Sequence, residues 1–91
     1  MNRSSRRIAL GISAADTYDG LIRVLVDMQR FGWRLDEVSA VGQGEACGEI
    51  RCIVTTPAAV SLAHIEERLA RHPAIHRVEA RCQDAEAAAA G

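Results

Sequence analysis

Histidine and cysteine are the side chains here that most readily hold metal ions, and this 91-residue sequence contains three of each. The histidines are His64, His72 and His76, and the cysteines are Cys47, Cys52 and Cys82. The cysteines lack the Cys-x-x-Cys spacing of metal and redox modules. We predict surface histidines, structural cysteines at 52 and 82, and no metal site. A metal or redox module is kept as a weak hypothesis, which metal analysis of the purified protein would test.

A paired nucleophile or a phosphate-binding loop would indicate an enzyme, and the sequence predicts neither. Ser13, Ser39 and Ser61 have no histidine that the pattern would place beside them. The run Gly42-Gln43-Gly44 lacks the third glycine, the lysine and the following helix of a phosphate-binding loop, and we predict a hairpin turn there. The chain is therefore expected not to be an enzyme and to carry no catalytic residue.

The loop over residues 13–20 is the segment best suited to a small ligand. It leads from a strand into a helix, where free backbone N–H groups and the positive end of the helix dipole favour a carboxylate. Asp16 and Asp19 lie in this loop, and their carboxylates could cap those N–H groups and repel an anion. The sequence leaves ligand binding and self-capping open.

Composition excludes two kinds of partner. The net charge is −1, and the eleven basic residues, all arginine, are interspersed with acidic ones, so we expect no nucleic-acid partner. The aromatic residues, Tyr18, Phe31 and Trp33, are too few for a base-stacking platform. No apolar run is long enough to span a bilayer, so no membrane partner is expected. The odd cysteine count fits the cytoplasm.

The first half of the chain predicts a strand, a helix and a second strand. Alternating apolar residues over 8–12 indicate a half-buried strand. The helix that follows should end at Gly32 with a left-handed C-cap. Its apolar face is Leu21, Val24, Leu25 and Met28, its opposite side carries Arg23, Asp27 and Arg30, and Ile22 and Val26 form its flank. The second strand, over 33–41, requires a bulge near Asp36-Glu37 to keep its phase.

The second half predicts a strand, a helix and a final strand. Alternation over residues 49–55 indicates the third strand. Thr56 as N-cap and Pro57 at the first helical position predict the start of the second helix, and His72-Pro73 predicts its end. The last strand covers Ile75–Cys82.

This βαββαβ order predicts an α+β, ferredoxin-like domain. Right-handed crossovers place two helices on one face of a four-stranded antiparallel sheet. We predict a flexible leader over residues 1–6, the domain over 7–82, and a disordered or frayed tail over 83–91. The other sheet face and at least one edge strand would be uncovered unless a partner covers them.

Three short motifs resemble those of a known family in both sequence and position. Leu21-Ile22-Arg23-Val24 opens the first helix, Gly32-Trp33 ends it, and Ile75-His76-Arg77-Val78 begins the last strand. These motifs resemble those of ACT domains. The stretch over residues 53–62 is similar to the third strand and helix start of the short, single-ACT small subunits of acetolactate synthase. The resemblance extends over about residues 7–82.

The resemblance implies a regulatory subunit that forms a homodimer through its ACT domains and activates the acetolactate synthase large subunit in branched-chain amino acid biosynthesis. Thiamine diphosphate, magnesium and FAD are then expected on that partner, with no cofactor on this chain. In longer relatives a branched-chain amino acid effector binds between two ACT domains. The corresponding positions here are Asp16, Asp19, Gly20, Arg34 and Leu35. Asp16, Asp19 and Arg34 depart from the Asn, Gly and Asn of those relatives, as in the feedback-insensitive short form.

Two functions follow from these observations. The first is a non-catalytic regulatory subunit of acetolactate synthase that works through its uncovered surfaces. The alternative is a stand-alone ACT-type sensor that binds an amino acid at a dimer interface.

Overall fold

The computed structural model describes residues 5–42 and 47–83 of the chain. Its elements are β1 (Ser5–Ala14), α1 (Thr17–Phe31), β2 (Arg34–Gly42), β3 (Gly48–Pro57), α2 (Leu62–Leu69) and β4 (Ile75–Cys82). Because β1 begins at Ser5, the last two residues of the predicted leader belong to the strand. The rest of the leader, most of the predicted turn after β2 and all but the first residue of the predicted tail lie outside the described residues.

The four strands form one antiparallel sheet in the order β2-β3-β1-β4. The central strand β1 pairs with β3 from Ser5↔Pro57 to Ala14↔Gly48, and with β4 on its other side. β2 pairs only with β3, so β2 and β4 are the edges of the sheet. The predicted ferredoxin-like, α+β architecture is confirmed.

The core lies between one face of the sheet and the two helices. Every second residue of β1 and β3 is buried on this face, where Val24 and Met28 of α1 and Ile65 and Leu69 of α2 meet them. The buried sheet residues are Ile8, Leu10, Ile12, Ala14, Ile50, Cys52, Val54 and Ile75. The alternate positions face away from both helices, so this side of the sheet is uncovered, as predicted. Neither described helix is long and apolar enough to cross a membrane.

Both ends of α1 follow from local sequence. Asp16 has an extended backbone and its side chain accepts a hydrogen bond from the Tyr18 N–H, which makes it the N-cap. Gly32 ends the helix in the left-handed conformation, with φ of 79°. The Trp33 N–H then donates to the Met28 carbonyl at 3.1 Å, which satisfies a carbonyl at the helix end. The predicted glycine C-cap is confirmed.

The predicted bulge in β2 is also confirmed. Leu35 pairs with Val54 and Glu37 pairs with Ile53, so Asp36 is an extra residue with no counterpart in β3. The insertion restores the phase of the strand: Leu35 and, further along, Val38 both lie on the side of the sheet that carries the helices.

The prediction for the start of α2 is wrong. Thr56 and Pro57 are the last residues of β3, because the pairing of β1 with β3 extends to Ser5↔Pro57. A turn follows, in which the Val60 N–H donates to the Pro57 carbonyl. The N-cap is Ser61, whose side chain accepts from the His64 N–H at 3.1 Å. The helix also ends at Leu69, three residues before the predicted stop at His72.

Asp27 and His72 are likewise not the solvent-facing residues that the sequence predicts. Asp27 is only 8% exposed, although it was placed on the polar side of α1. Its Oδ2 lies 3.6 Å from the Nε2 atom of His72, so the two side chains connect α1 to the turn after α2. His64 and His76 are exposed, as predicted.

Candidate functional site

A cavity of about 470 Å³ lies at the corner where β1 leads into α1. Its lining comes from this corner, the first turn of α1, the end of β2 and the residue before β3. The lining residues are Ala15, Asp16, Thr17, Tyr18, Leu21, Ala40, Gly42 and Cys47. Most of them present carbon atoms, and the volume is in the range of small-molecule sites. The structure thus supplies a pocket at the loop that the sequence singled out, and we call it the corner cavity.

Two glycines allow α1 to start close to the sheet. A Cβ on Gly20 would lie 2.5 Å from the Cβ of Ala14, and a Cβ on Gly48 would lie 1.9 Å from Oγ1 of Thr17. Contacts this short are incompatible with a side chain at either position. Gly20 is therefore buried on the face of α1 that packs against the sheet. It does not line the corner cavity, although the resemblance implies that it belongs to the effector site.

Asp16 and Asp19 have separate partners. Oδ1 of Asp16 accepts a 3.0 Å hydrogen bond from the Tyr18 N–H at the rim of the cavity. Oδ1 of Asp19 lies 3.4 Å from Nε of Arg23, one helical turn further along. One of the free N–H groups of the helix start is thus already capped, as the self-capping hypothesis expects. The Asp16 carboxylate makes the rim favourable for an ammonium group rather than for an anion.

Arg34 and Leu35 lie at the opposite end of the molecule from Asp16. Arg34 pairs with Thr55, whereas Gly42, at the cavity, pairs with Gly48. Eight residues of extended chain separate Arg34 from Gly42, which corresponds to about 25 Å. A single chain therefore does not bring the two halves of the predicted effector site together.

An apolar surface extends along the side of the molecule formed by α1 and β2. The large apolar side chains here are 37% to 81% exposed, and they are Tyr18, Ile22, Val26, Leu35 and Val38. We call this surface the α1/β2 edge. Ile22 and Val26 were expected at the core margin or facing a partner, and the structure exposes both of them. The sequence did not identify Val38, because its exposure depends on β2 being an edge strand.

The uncovered face of the sheet is charged. The central strand presents small residues, Ala9, Gly11 and Ser13, above a shallow cavity of about 320 Å³. Arginines and glutamates of β3 and β4 flank this cavity: Glu49, Arg51, Arg77, Glu79 and Arg81. Two of them, Arg77 and Glu79, form an ion pair with each other. This face is mostly polar over β1, β3 and β4, in contrast to the α1/β2 edge, although Val41 at the end of β2 is 57% exposed on it.

Within residues 5–42 and 47–83 no three histidine, cysteine, aspartate or glutamate side chains are grouped so that they could hold a metal ion. His72 and His76 are four residues apart in sequence, but the turn that contains Pro73 separates them. Cys52 is buried in the core, and burial raises the pKa of its thiol to about 11. Cys82 is half-buried and also carries a free thiol.

The comparisons with known proteins concern the fold. No protein-family model and no curated protein matches the sequence. Among solved structures, the C-terminal domain of the MgtC protein from Mycobacterium tuberculosis is similar, with a TM-score of 0.70 and 7% identity over 90% of this chain and 92% of that one. An ACT domain protein from Streptococcus pneumoniae is similar with a TM-score of 0.73 and 8% identity, over 89% of this chain and 93% of that one. The chain therefore has the ferredoxin-like fold of ACT domains.

Proposed function

We propose that this chain is a non-catalytic regulatory module of the cytoplasm that acts as a homodimer formed through its α1/β2 edge. The observation that carries this proposal is the exposure of five large apolar side chains beside an unpaired strand edge. An exposed strand edge with apolar neighbours is suited to pairing with another chain. A domain of this size also buries a small share of its surface, so that added contact area stabilises it.

A two-fold arrangement of β2 strands accounts for the divided effector site. If two copies pair β2 with β2 antiparallel about Val38, Arg34 of one copy lies opposite Gly42 of the other. This contact is isologous, because each copy uses the same surface. The corner cavity of each copy would then lie next to Arg34 and Leu35 of the second copy.

We further propose that the partner regulated by this dimer is the acetolactate synthase large subunit. The support is the resemblance of residues 21–24, 32–33, 53–62 and 75–78 to the short small subunits of that enzyme, together with an ACT-type fold. In such a complex the large subunit holds thiamine diphosphate, magnesium and FAD, and this chain acts by contact alone.

Mixing the purified chain with a cofactor-loaded large subunit tests this proposal. The two should co-elute in gel filtration, and the rate of acetolactate formation should rise. A thiamine diphosphate enzyme that has no small subunit serves as the control and should show neither effect. If the large subunit neither co-elutes with the chain nor gains activity, the partner assignment is wrong.

The corner cavity favours a second function, the sensing of a small amino acid. The carboxylate of Asp16 suits the ligand ammonium group, and the apolar lining of Leu21 and Ala40 suits its side chain. In the dimer, Leu35 of the second copy, which lies on the helix side of the sheet, would extend this apolar lining. This sensor would need the dimer, since only the second copy supplies Leu35.

A thermal-shift screen with the twenty amino acids separates the sensor from the enzyme subunit. A ligand at 100 times its dissociation constant stabilises the protein by about 2.7 kcal/mol, which gives a clear rise in the melting temperature. The matched variant Asp16→Asn, which keeps a side chain able to cap the helix and removes the charge, should lose the response. If no amino acid raises the melting temperature, the sensor function is excluded, and the proposal of partner activation is unaffected.

A further inference from the structure

A third cavity, of about 300 Å³, lies between the C-terminal ends of the two helices. Three of its lining residues come from the last turns of α1, and three come from the end of α2 and the turn after it. They are Asp27, Arg30 and Phe31, and Arg68, Arg71 and His72. We call it the inter-helix cavity. It lies at the opposite end of α1 from the corner cavity.

Local structure explains the first group and the turn after α2 explains the second. Arg30 and Phe31 follow Asp27 by three and four positions, which places the three side chains on one face of α1. Arg68 is in the last turn of α2, and Arg71 and His72 lie in the turn that follows Leu69. The two groups meet because His72 lies against Asp27, with 3.6 Å between Nε2 and Oδ2. The sequence hid this arrangement, since the two groups are about forty residues apart.

Aromatic packing holds one of the arginines in place. The guanidinium carbon of Arg68 lies 4.8 Å from the centre of the Phe31 ring, a cation–π contact. The Phe31 ring in turn packs against Trp33, with 4.9 Å between the ring centres. The Phe31 and Trp33 rings therefore support the Arg68 guanidinium group beside the cavity.

The other two arginines of the cavity, Arg30 and Arg71, are available to a ligand. The guanidinium groups of Arg30 and Arg71 have no hydrogen-bonded or ion-paired partner among the described residues. The only acid in the lining is Asp27, which is 8% exposed and faces His72. In a chain of net charge −1, this cavity is a local excess of positive charge.

The helix dipoles do not cancel this excess. Each helix end contributes the equivalent of about half a negative charge, and Asp27 contributes one full negative charge. Three guanidinium groups outweigh these, so a net positive charge of about one unit remains. An anion with several separated oxygen atoms can accept fork-shaped hydrogen bonds from more than one guanidinium group, which a monatomic ion does not match in geometry.

We propose that the inter-helix cavity binds a small ligand through a phosphate group. Arg30 and Arg71 supply fork-shaped donors that fit phosphate oxygens, and the stacked Arg68 supplies a third, pre-positioned one. His72, which lies against Asp27, completes the lining. The volume, at the lower end of small-molecule sites, limits the ligand to a phosphate or a small phosphorylated molecule.

Titration of the whole chain with pyrophosphate, followed by amide NMR at constant ionic strength, tests this site. We expect saturable shifts confined to residues around the cavity. Arg71→Gln should weaken binding about tenfold, the effect of losing one charged hydrogen bond. Arg30→Gln should act in the same direction, and because Arg30 and Arg71 are exposed, both variants should keep the wild-type melting temperature.

Arg81→Gln is the matched control, because Arg81 is an exposed arginine on the far face of the sheet, and it should bind pyrophosphate like the wild type. Equal weakening in the control would mean non-specific attraction and would overturn the proposal. Absence of saturable shifts at millimolar pyrophosphate would also overturn it. If succinate binds as tightly as pyrophosphate, the assignment of a phosphate group is wrong. If pyrophosphate binds tightly and inorganic phosphate binds weakly, the ligand carries more than one phosphate group.

Discussion

The Thr55 hydroxyl donates a 2.7 Å hydrogen bond to Oδ2 of Asp36, and this bond joins β3 to β2 at the position where their pairing is interrupted. Oδ1 of Asp36 accepts a 2.9 Å hydrogen bond from Nε of Arg34, and Arg7 approaches within 3.5 Å. The Asp36 side chain is only 14% exposed. At the bulge one backbone pair between β2 and β3 is missing, and the side-chain contacts of Asp36 connect the edge strand β2 to its neighbours instead.

This network makes the stability of the protein depend on pH. The hydrogen bond from Thr55 and the charges of Arg34 and Arg7 lower the pKa of Asp36 below 3.8, although desolvation opposes them. A carboxyl group whose pKa is lower in the folded state contributes stability above pH 3.8 and loses it as the pH falls through the folded value. We expect Asp36→Asn to lower the free energy of unfolding by about 1 kcal/mol at pH 7.

Urea unfolding at several pH values measures this difference. The gap between the wild type and Asp36→Asn should narrow as the pH falls below 3.8. Asp19→Asn is the control, because Asp19 forms an exposed ion pair within α1, and such pairs contribute little. A gap that stays constant down to pH 2 would show that the Asp36 charge does not stabilise the fold.

The close start of α1 predicts a strong effect at Gly20. In Gly20→Ala the new Cβ would lie 2.5 Å from the Cβ of Ala14, so helix or strand must move. We expect a loss of about 1–3 kcal/mol, typical of overpacking, in urea unfolding. Gly11→Ala is the matched control, since its Cβ would meet no atom within 4 Å. Equal stability of Gly20→Ala and wild type would mean that the helix start adapts freely.

The features that the sequence predicted correctly are those that neighbouring residues determine. Gly32 ends α1 because a left-handed C-cap is a local requirement, and the bulge at Asp36 follows from a phase break within one strand. The start of α2 was misassigned because Thr56-Pro57 has the local pattern of a helix start, whereas long-range pairing with Ser5 keeps it in the sheet. The burial of Asp27 likewise depends on His72, which no local pattern connects to it.

Candidate site residues divide in the same way. Asp16 lies beside a ligand-sized space because the strand-to-helix corner is a local feature, and ligand binding there stays a prediction. Arg34 was taken from a resemblance, and within one chain it lies about 25 Å from the cavity. The resemblance already implies an effector between two ACT domains, whereas the separation within one chain follows from the register of the sheet, which no local pattern predicts.

Burial predicts the reactivity of the cysteines. Burial raises the pKa of the Cys52 thiol to about 11, and the thiolate is the reactive form. At pH 8 we expect iodoacetamide to modify the exposed Cys47 and to leave Cys52 unmodified in the folded protein. Mass spectrometry of peptides before and after unfolding in urea measures this. Modification of Cys52 at the rate of Cys47 in the folded protein would mean that the core opens readily.

The α1/β2 edge predicts a variant that separates dimerisation from folding. In Val38→Lys a charge is placed at the centre of the proposed β2–β2 contact, where two copies would bring two lysines together. Val38 is 42% exposed, so the monomer can keep its fold with the lysine in solvent. We expect gel filtration with light scattering to give twice the monomer mass for the wild type and the monomer mass for the variant.

Two comparisons make that result specific. Ala63→Lys adds the same charge at an exposed position of α2, away from the edge, and should remain dimeric. Val38→Ile adds apolar surface at the contact and should strengthen the dimer, which dilution series would detect as a lower dissociation constant. A monomeric wild type would mean that the α1/β2 edge does not form a homodimer. A dimer that survives Val38→Lys would mean that the homodimer forms through another surface. In the dimer model, Val38→Lys also separates Leu35 from the corner cavity of the second copy, so any amino-acid response must disappear together with the dimer.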